Sequence, residues 1–281
     1  MAIKLKNHTD IPGIVVGDTE FKITSYADNV ALSLSNPVKT FSKLFNLLYD
    51  FGLVSGYKVN RNKTKIFTYG VSHKNLEGLM YTSGCQINPP MVKYLGIYID
   101  KDLGKLFLNN YERILKCLTS DLKYWDILNL SWSARMSAVK MNILPKFNFL
   151  FQNLPISIKD KVIQNWQRQI NSFIWRNKKA RIAFSILQDE TSRGGLKFPN
   201  LLLYYHASKL VWIKDWMDDP FNIFLQAEKS DLGLGFHDTL WPDSKSKKQL
   251  GKHWVRNSLL NTWKKYQLRY QSSGFSTKNS T

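Results

Sequence analysis

The stretch KITSYADNVALSLS, residues 22–35, decides how the first hundred residues are read. Thr24, Tyr26, Asp28, Val30, Leu32 and Leu34 fall on one alternation, and a polar turn at Ala27-Asp28-Asn29 interrupts it, so the segment reads as strand, turn and strand. Just upstream, GIVVGDTEFKI has β-branched runs on both sides of Gly17-Asp18, the signal of another hairpin. Downstream, Asn36-Pro37 stops the strand and opens a helix with proline at its first position. Phe41, Leu44, Phe45, Leu48 and Phe51 recur at helical spacing, and Gly52 and Gly56 end the pattern. Tyr57-Lys58-Val59 and residues 65–69 return to strand character. Residues 93–99 make a further extended piece that closes a β–α–β half near Asp100.

Beyond Asp100 the period becomes helical. Residues 107–125, 131–150 and 157–179 each read as a helix, punctuated by Pro145, Pro155 and polar turns. Trp132, Met136, Val139 and Ile143 make one apolar edge. In the third helix Val162, Ile163, Trp166, Ile170, Phe173 and Ile174 share a side, with Lys161, Arg168 and Lys179 nearly opposite and Arg176 on the flank. The apolar side is core; the basic side suits phosphate, an anionic membrane or a partner that takes basic helices. Ser192-Arg193-Gly194-Gly195 is a loop, residues 201–217 are a helix, and residues 254–270 suit one more. Gly233 and Gly235 mark a turn, the piece 244–248 is rich in Ser and Lys, and the end, SSGFSTKNST, reads as frayed. The pattern is α+β, with hairpins and a helix followed by a mainly helical remainder.

Charge is uneven along the 281 residues, whose 40 Lys and Arg exceed 21 Asp and Glu by 19. Residues 1–100 hold 11 basic and 7 acidic side chains, leaving 29 and 14 for the rest. Residues 131–181 carry ten basic side chains and a single acid, Asp160, interleaved with Trp132, Phe147, Phe149, Phe151, Trp166, Phe173 and Trp175. A localised positive field points to a polyanion, and to nucleic acid first, because solubility alone needs only net charge of either sign. The 43% hydrophobic and 14% aromatic content excludes a disordered basic tail. Cys85 and Cys117 are too few for a disulfide framework, no CxxC spacing suggests zinc, and the first residues lack the apolar core of a secretory signal. With no run of about 18 apolar residues, an intracellular protein is expected, in nucleus or cytoplasm, with no membrane partner.

Few residues suggest chemistry without further context. The five histidines fall at no ligand spacing, and neither a P-loop nor GxGxxG is present. Ser131, Ser133 and Ser137 suit a helix start and surface better than a nucleophile. Asp28 is the acid in a suggestive setting, and a carboxylate at a hairpin turn is by itself explained by turn chemistry.

Several boxes in order change that balance. Tyr26-Ala27-Asp28-Asn29 resembles the Tyr/Phe-Ala-Asp-Asp box of reverse transcriptases of the LINE-type, non-LTR retrotransposon class. The Gly17–Ile23 hairpin before it resembles that class too, as do residues 51–60 and Lys63-Thr64-Lys65 after it. Tyr94-Leu95-Gly96 resembles a primer-grip strand. Trp132-Ser133-Ala134-Arg135, Leu144-Pro145-Lys146, Phe173-Ile174-Trp175-Arg176, Arg181-Ile182-Ala183 and residues 194–200 with Tyr204-Tyr205-His206-Ala207 resemble thumb and post-thumb segments. The resemblance covers roughly residues 1–217 and implies three parts: a truncated palm over 1–100, a helical thumb over 101–180, and a post-thumb helical region with a weakly ordered tail over 181–281. It implies an RNA-directed DNA polymerase that uses Mg²⁺ and deoxynucleotides, with Asp28 as a metal ligand and Arg135, Lys140, Lys161, Arg168, Arg176 and Lys179 on the phosphates of an RNA template or RNA–DNA duplex.

The departures bear on activity. Two-metal transfer needs anionic oxygens converging on two ions about 4 Å apart. The family's box has a second carboxylate where this sequence has Asn29, which offers a neutral carbonyl oxygen. The resemblance puts a third carboxylate and the fingers upstream of Met1. The expectation is therefore a fragment unable to polymerise alone and not holding Mg²⁺ stably, or, alternatively, a non-enzymatic RNA- or DNA-binding module. A membrane-surface or partner-helix binder using residues 157–179 is a third, weaker reading.

Overall fold

A computed structural model describes residues 1–218, 223–232, 240 and 253–272. The expected Gly233/Gly235 turn, the 244–248 piece and, apart from Ser272, the frayed end expected over 272–281 lie outside them. The chain forms two compact units. Residues 1–106 and the helix Ile223–Leu232 belong to the first, and residues 107–218 and the helix Trp254–Ser272 to the second. Helix predominates over short strand pairs, an α+β chain.

In the first unit, β1 (Ile14–Val16) and β2 (Thr19–Phe21) pair across Gly17-Asp18, and β3 (Ile23–Tyr26) and β4 (Asn29–Leu32) pair across Ala27-Asp28. The expected polar turn is thus two residues, with Asn29 already in β4 opposite Tyr26. Helix α1 (Ala2–Lys6), this second hairpin and α2 (Pro37–Ser55) enclose a small core of Leu5, Ile11, Leu44 and Leu47, against which Ile23, Leu32, Leu34 and Leu48 pack. Lys22 is buried beside it. Its ammonium donates to the carbonyls of Lys6 (3.0 Å), the last residue of α1, and His8 (3.1 Å), two residues beyond, and lies 3.4 Å from Glu20, so a cation satisfies carbonyls at the helix end and is itself neutralised. Glu20 in turn accepts from the Gly13 N–H, which holds its carboxyl below the usual range, with Lys22 acting the same way.

Helix α2 begins at the expected proline but runs through Gly52 to Ser55, ending where Gly56 adopts φ 75°. Gly52 is there for close approach: a Cβ would stand 2.6 Å from the Tyr57 carbonyl oxygen, because the chain folds back after Gly56. Tyr57-Lys58-Val59 is not a strand, and only Lys65–Ile66 (β5) of residues 65–69 is, paired in parallel with β6 (Gln86–Ile87). Between them lies an unexpected helix, α3 (His73–Ser83). The expected single strand 93–99 is instead a hairpin: β7 (Met91–Tyr94) and β8 (Ile97–Asp100) pair across Leu95-Gly96, both with positive φ. Among the described residues the strands form four separate two-stranded sheets.

The second unit is helical. A wide turn at Leu108–Glu112 leads into α4 (Arg113–Ile127). Helix α5 (Trp132–Ala138) continues through another wide turn, Val139–Ile143, into α6 (Leu144–Asn153). That irregular turn lies just before Pro145, which has no N–H to return to the carbonyl four residues back. Helix α7 (Asp160–Ile174) buries Ile163, Trp166, Ile170, Phe173 and Ile174, the expected apolar side. Short α8 (Phe184–Gln188) follows, then α9 (Leu201–Asp218); α10 is the Ile223–Leu232 helix of the first unit and α11 is Trp254–Ser272. Tyr111, Phe147, Phe151, Trp166 and Tyr205 interlock in the centre, with ring centroids 5.2 to 6.1 Å apart.

A buried polar seam joins α9 to its neighbours. Lys209 is 2% exposed, and its Nζ donates to Tyr205 Oη and Ser258 Oγ, each at 2.5 Å. Tyr205 Oη donates to the Ile156 carbonyl (3.0 Å) and accepts the Ile158 N–H (2.7 Å). His206 Nδ1 lies 2.7 Å from Tyr266 Oη, and Lys265 holds Asp160 at 2.6 Å. Burial raises the Asp160 carboxyl, but the Lys265 hydrogen bond and charge outweigh it and hold it below the usual range.

Burial pulls the Lys209 pKa from 10.5 down to about 7, with Lys265 adding to the shift and Asp160 opposing it. The unfolded lysine, titrating near its ordinary value, binds more protons than the folded one between the two pKa values. Stability therefore rises with pH across that window and is lost as pH falls towards 7. Tyr205, pushed up to about 12 by burial, works the other way only above pH 10. Urea unfolding followed by tryptophan fluorescence should show a gain of about 3 kcal/mol between about pH 7 and 9.5, flattened in Lys209→Met; equal slopes in both proteins would contradict the assignment.

Candidate nucleic-acid interface

The expected phosphate-binding residues part company in the folded chain. Arg135 is 1% exposed, so it is corrected from a phosphate contact to an internal clamp. Its Nη1 donates to Asp126 Oδ1 at 2.6 Å and to the Phe173 carbonyl at 2.9 Å, and its Nε to the Leu130 carbonyl at 3.2 Å. The guanidinium also lies 4.7 Å from the Phe173 ring centroid, a cation–π contact. A guanidinium needs several acceptors before it can leave water, and this site supplies them from α4, the 128–131 turn and α7. Lys140, half-buried in the wide turn before Pro145, donates to the Leu196 carbonyl and is spent on holding the 194–200 loop. Lys146, another of the ten basic residues of 131–181, pairs with Asp121 at 2.9 Å.

Lys161 and Arg168 are exposed on α7, opposite its buried side as expected. Arg176 and Lys179 are exposed but do not continue the helix, which stops at Ile174 because Arg176 and Asn177 both turn left-handed, with φ of 49° and 57°. The segment beyond carries Arg176, Lys178, Lys179 and Arg181, all exposed. Ser172 Oγ donates to Asn177 Oδ1 at 2.6 Å, and Arg176 Nη2 donates to the Leu130 carbonyl at 3.1 Å, so this cationic loop is tied to the turn before α5. Lys178 and Arg181 escape a reading by period, because the helix assigned to 157–179 distributes the charges around a cylinder that in fact ends sooner.

The aromatics of the basic stretch divide in the same way. Phe147, Phe151, Trp166 and Phe173 are buried core, whereas Phe149 and Trp132 are exposed and Trp175 is half-buried. Trp132 and Trp175 stand nearly parallel, 11° apart with centroids separated by 5.9 Å.

In the first unit Asp28 is exposed at the tip of the β3–β4 hairpin, and Ala27 has φ 52°. Asn29 Nδ2 donates to Asp28 Oδ1 at 3.3 Å, so the neutral amide offers its N–H side to the carboxylate rather than a further oxygen. Asp10 is held 3.0 Å from Lys43, whose hydrogen bond and charge keep its carboxyl below the usual range. Among the described residues no group of three or more His, Cys, Asp or Glu converges to hold a metal ion. This donor set does not fit a pair of Mg²⁺ ions, which needs several anionic oxygens at one point. Tyr94, Leu95 and Gly96 form the end of β7 and the turn of its hairpin; Tyr94 Oη is buried without a hydrogen-bond partner, and Leu95 is exposed.

No protein-family model matches the chain. No described helix is long and apolar enough to cross a membrane.

Removing the Arg135 side chain takes one donor from the Leu130 and Phe173 carbonyls, which keep the Arg176 side chain and the Arg176 N–H respectively, and leaves the half-exposed Asp126 to water. Arg135→Ala should lower unfolding free energy by about 2 kcal/mol, the scale for losing hydrogen bonds made by a charged group. It should leave oligonucleotide affinity of the folded fraction unchanged; chemical denaturation paired with fluorescence anisotropy checks both, and weakened affinity at unaltered stability would restore Arg135 as a phosphate ligand.

Proposed function

We propose that this chain is a nucleic-acid-binding remnant of a LINE-type reverse transcriptase, in which the helical unit grips sugar–phosphate and the hairpin bearing Asp28 does not carry out strand synthesis. The observation that supports the binding most is the run of exposed cations from Lys159 to Arg181: Lys159, Lys161, Arg168, Arg176, Lys178, Lys179 and Arg181, with Asp160 the acid among them. Asp160 is itself neutralised by Lys265. Seven uncompensated cations in so short a stretch create a local field that attracts a polyphosphate and displaces its counterions.

The retrotransposon origin rests on the ordered boxes in the sequence, from Tyr26-Ala27-Asp28-Asn29 to Tyr204-Tyr205-His206-Ala207. A carboxylate at a hairpin tip, where Asp28 stands, suits the box's first position. The proposal assigns no polymerisation step to this chain, because Asp28 has an amide beside it instead of a second carboxylate.

A labelled RNA–DNA duplex titrated at several salt concentrations tests the binding. Replacing Lys161, Arg168 and Lys179 by Gln should weaken binding by a similar factor for unrelated sequences and flatten the log–log salt slope by about 0.7–0.9 for each phosphate no longer neutralised. Asp28→Ala should change neither quantity. Binding that survives the triple replacement with its slope intact, or that disappears with Asp28→Ala, would overturn the proposal.

A further inference from the structure

The geometry points to the Trp132–Trp175 pair and the cationic loop 176–181 as a stacking platform for an unpaired nucleotide of single-stranded nucleic acid. This inference rests on the nucleic-acid reading of the same unit and adds what that reading leaves open: which form of nucleic acid is preferred, and through which side chains.

Each half of the platform is anchored. Trp132 is the first residue of α5, immediately after Ser131, whose Oγ caps the helix by accepting the Ala134 N–H at 3.3 Å. Trp175 closes α7, its N–H bonded to the Asn171 carbonyl at 3.2 Å. Beyond it the loop is held by Asn177 N–H to Ser172 carbonyl (2.8 Å) and Lys178 N–H to Trp175 carbonyl (2.9 Å). Two consecutive residues in the left-handed region, neither of them glycine, persist where surrounding bonds hold them. The Leu130 carbonyl accepts from both Arg135 and Arg176, so the backbone before Trp132 and the loop after Trp175 share one fixed point.

The chemistry follows from that placement. Trp132 remains 41% exposed although it is packed against a second indole. Packing ring on ring costs Trp132 part of its apolar surface and leaves the rest of a flat, electron-rich surface in water. A nucleobase can cover it by stacking, and every base has a π face, so the contact is tolerant of sequence. In a duplex those faces are already taken by neighbouring base pairs. Arg176, Lys178, Lys179 and Arg181 supply positive charge within six residues of Trp175, in reach of the phosphates that flank a stacked base. An anionic bilayer would also attract these cations, but it takes indoles at the level of its headgroups and has no use for two in parallel.

The full chain can be titrated with a fluorescein-labelled oligothymidylate, with a duplex of the same length, and with phosphatidylserine vesicles. Trp132→Ala should weaken the single strand by about fivefold to a hundredfold, the effect of removing one stacked base, and leave duplex affinity within about twofold. Trp132→Phe, which keeps a smaller ring, should recover most of the affinity and guards against misfolding of the alanine variant. Equal weakening for single strand and duplex, or none for either, would overturn the platform while leaving the binding function standing. Failure of the unaltered chain to bind either nucleic acid would overturn both. Vesicle binding that depends on Trp132 while oligonucleotide binding does not would assign the surface to lipid instead.

Discussion

A cation leaves water only where enough acceptors meet it, and this constraint sorts the basic residues of the helical unit. Arg135 finds a carboxylate, two carbonyls and an aromatic face, and becomes the clamp between α4, α5 and α7. Lys140 finds the Leu196 carbonyl, whereas Lys209, given two hydroxyls and, among the described residues, no adjacent carboxylate, is pushed towards its neutral form by burial. The cations that find no such site, from Lys159 to Arg181, stay at the surface and form the field on which the functional reading depends. Structure and function thus draw on one pool of charge: what the fold neutralises internally is withdrawn from any partner.

Much of the chain is legible in its sequence where a local rule acts alone. The Gly17-Asp18 and Ala27-Asp28 hairpins, the proline start of α2 and the apolar side of α7 follow from turn chemistry and periodicity. Legibility fails where the signal is weak or non-local. Among its described side chains helix α3 buries only Leu79 and Ser83, so no apolar stripe announces it. The Tyr94–Ile97 hairpin is hidden because Leu95, a poor residue for positive φ, occupies the turn before Gly96. The end of α7 is hidden in the same way, since Arg176 and Asn177 turn left-handed without a glycine.

The candidate site is legible in composition more than in position. Charge clustering locates the stretch that carries the exposed cations, but periodicity cannot tell Arg135, which is buried, from Arg168, which is exposed, because the acceptors of Arg135 come from Asp126, Leu130 and Phe173. Nor can it separate the core aromatics Phe147 and Trp166 from the outward pair of Trp132 and Trp175. Asp28 stands at a turn tip as its sequence setting implies, and among the described residues it belongs to no group of three or more potential metal ligands.

Lysine acetylation footprinting by mass spectrometry, with and without bound oligonucleotide, tests most directly the claim that surface and internal cations are separate populations. Protection should fall on Lys161, Lys178 and Lys179, with Lys140 and Lys209 unreactive in both states and Lys58, Lys63 and Lys65 labelled equally in both. Protection confined to those three lysines of the first unit, with none at Lys178 or Lys179, would contradict it.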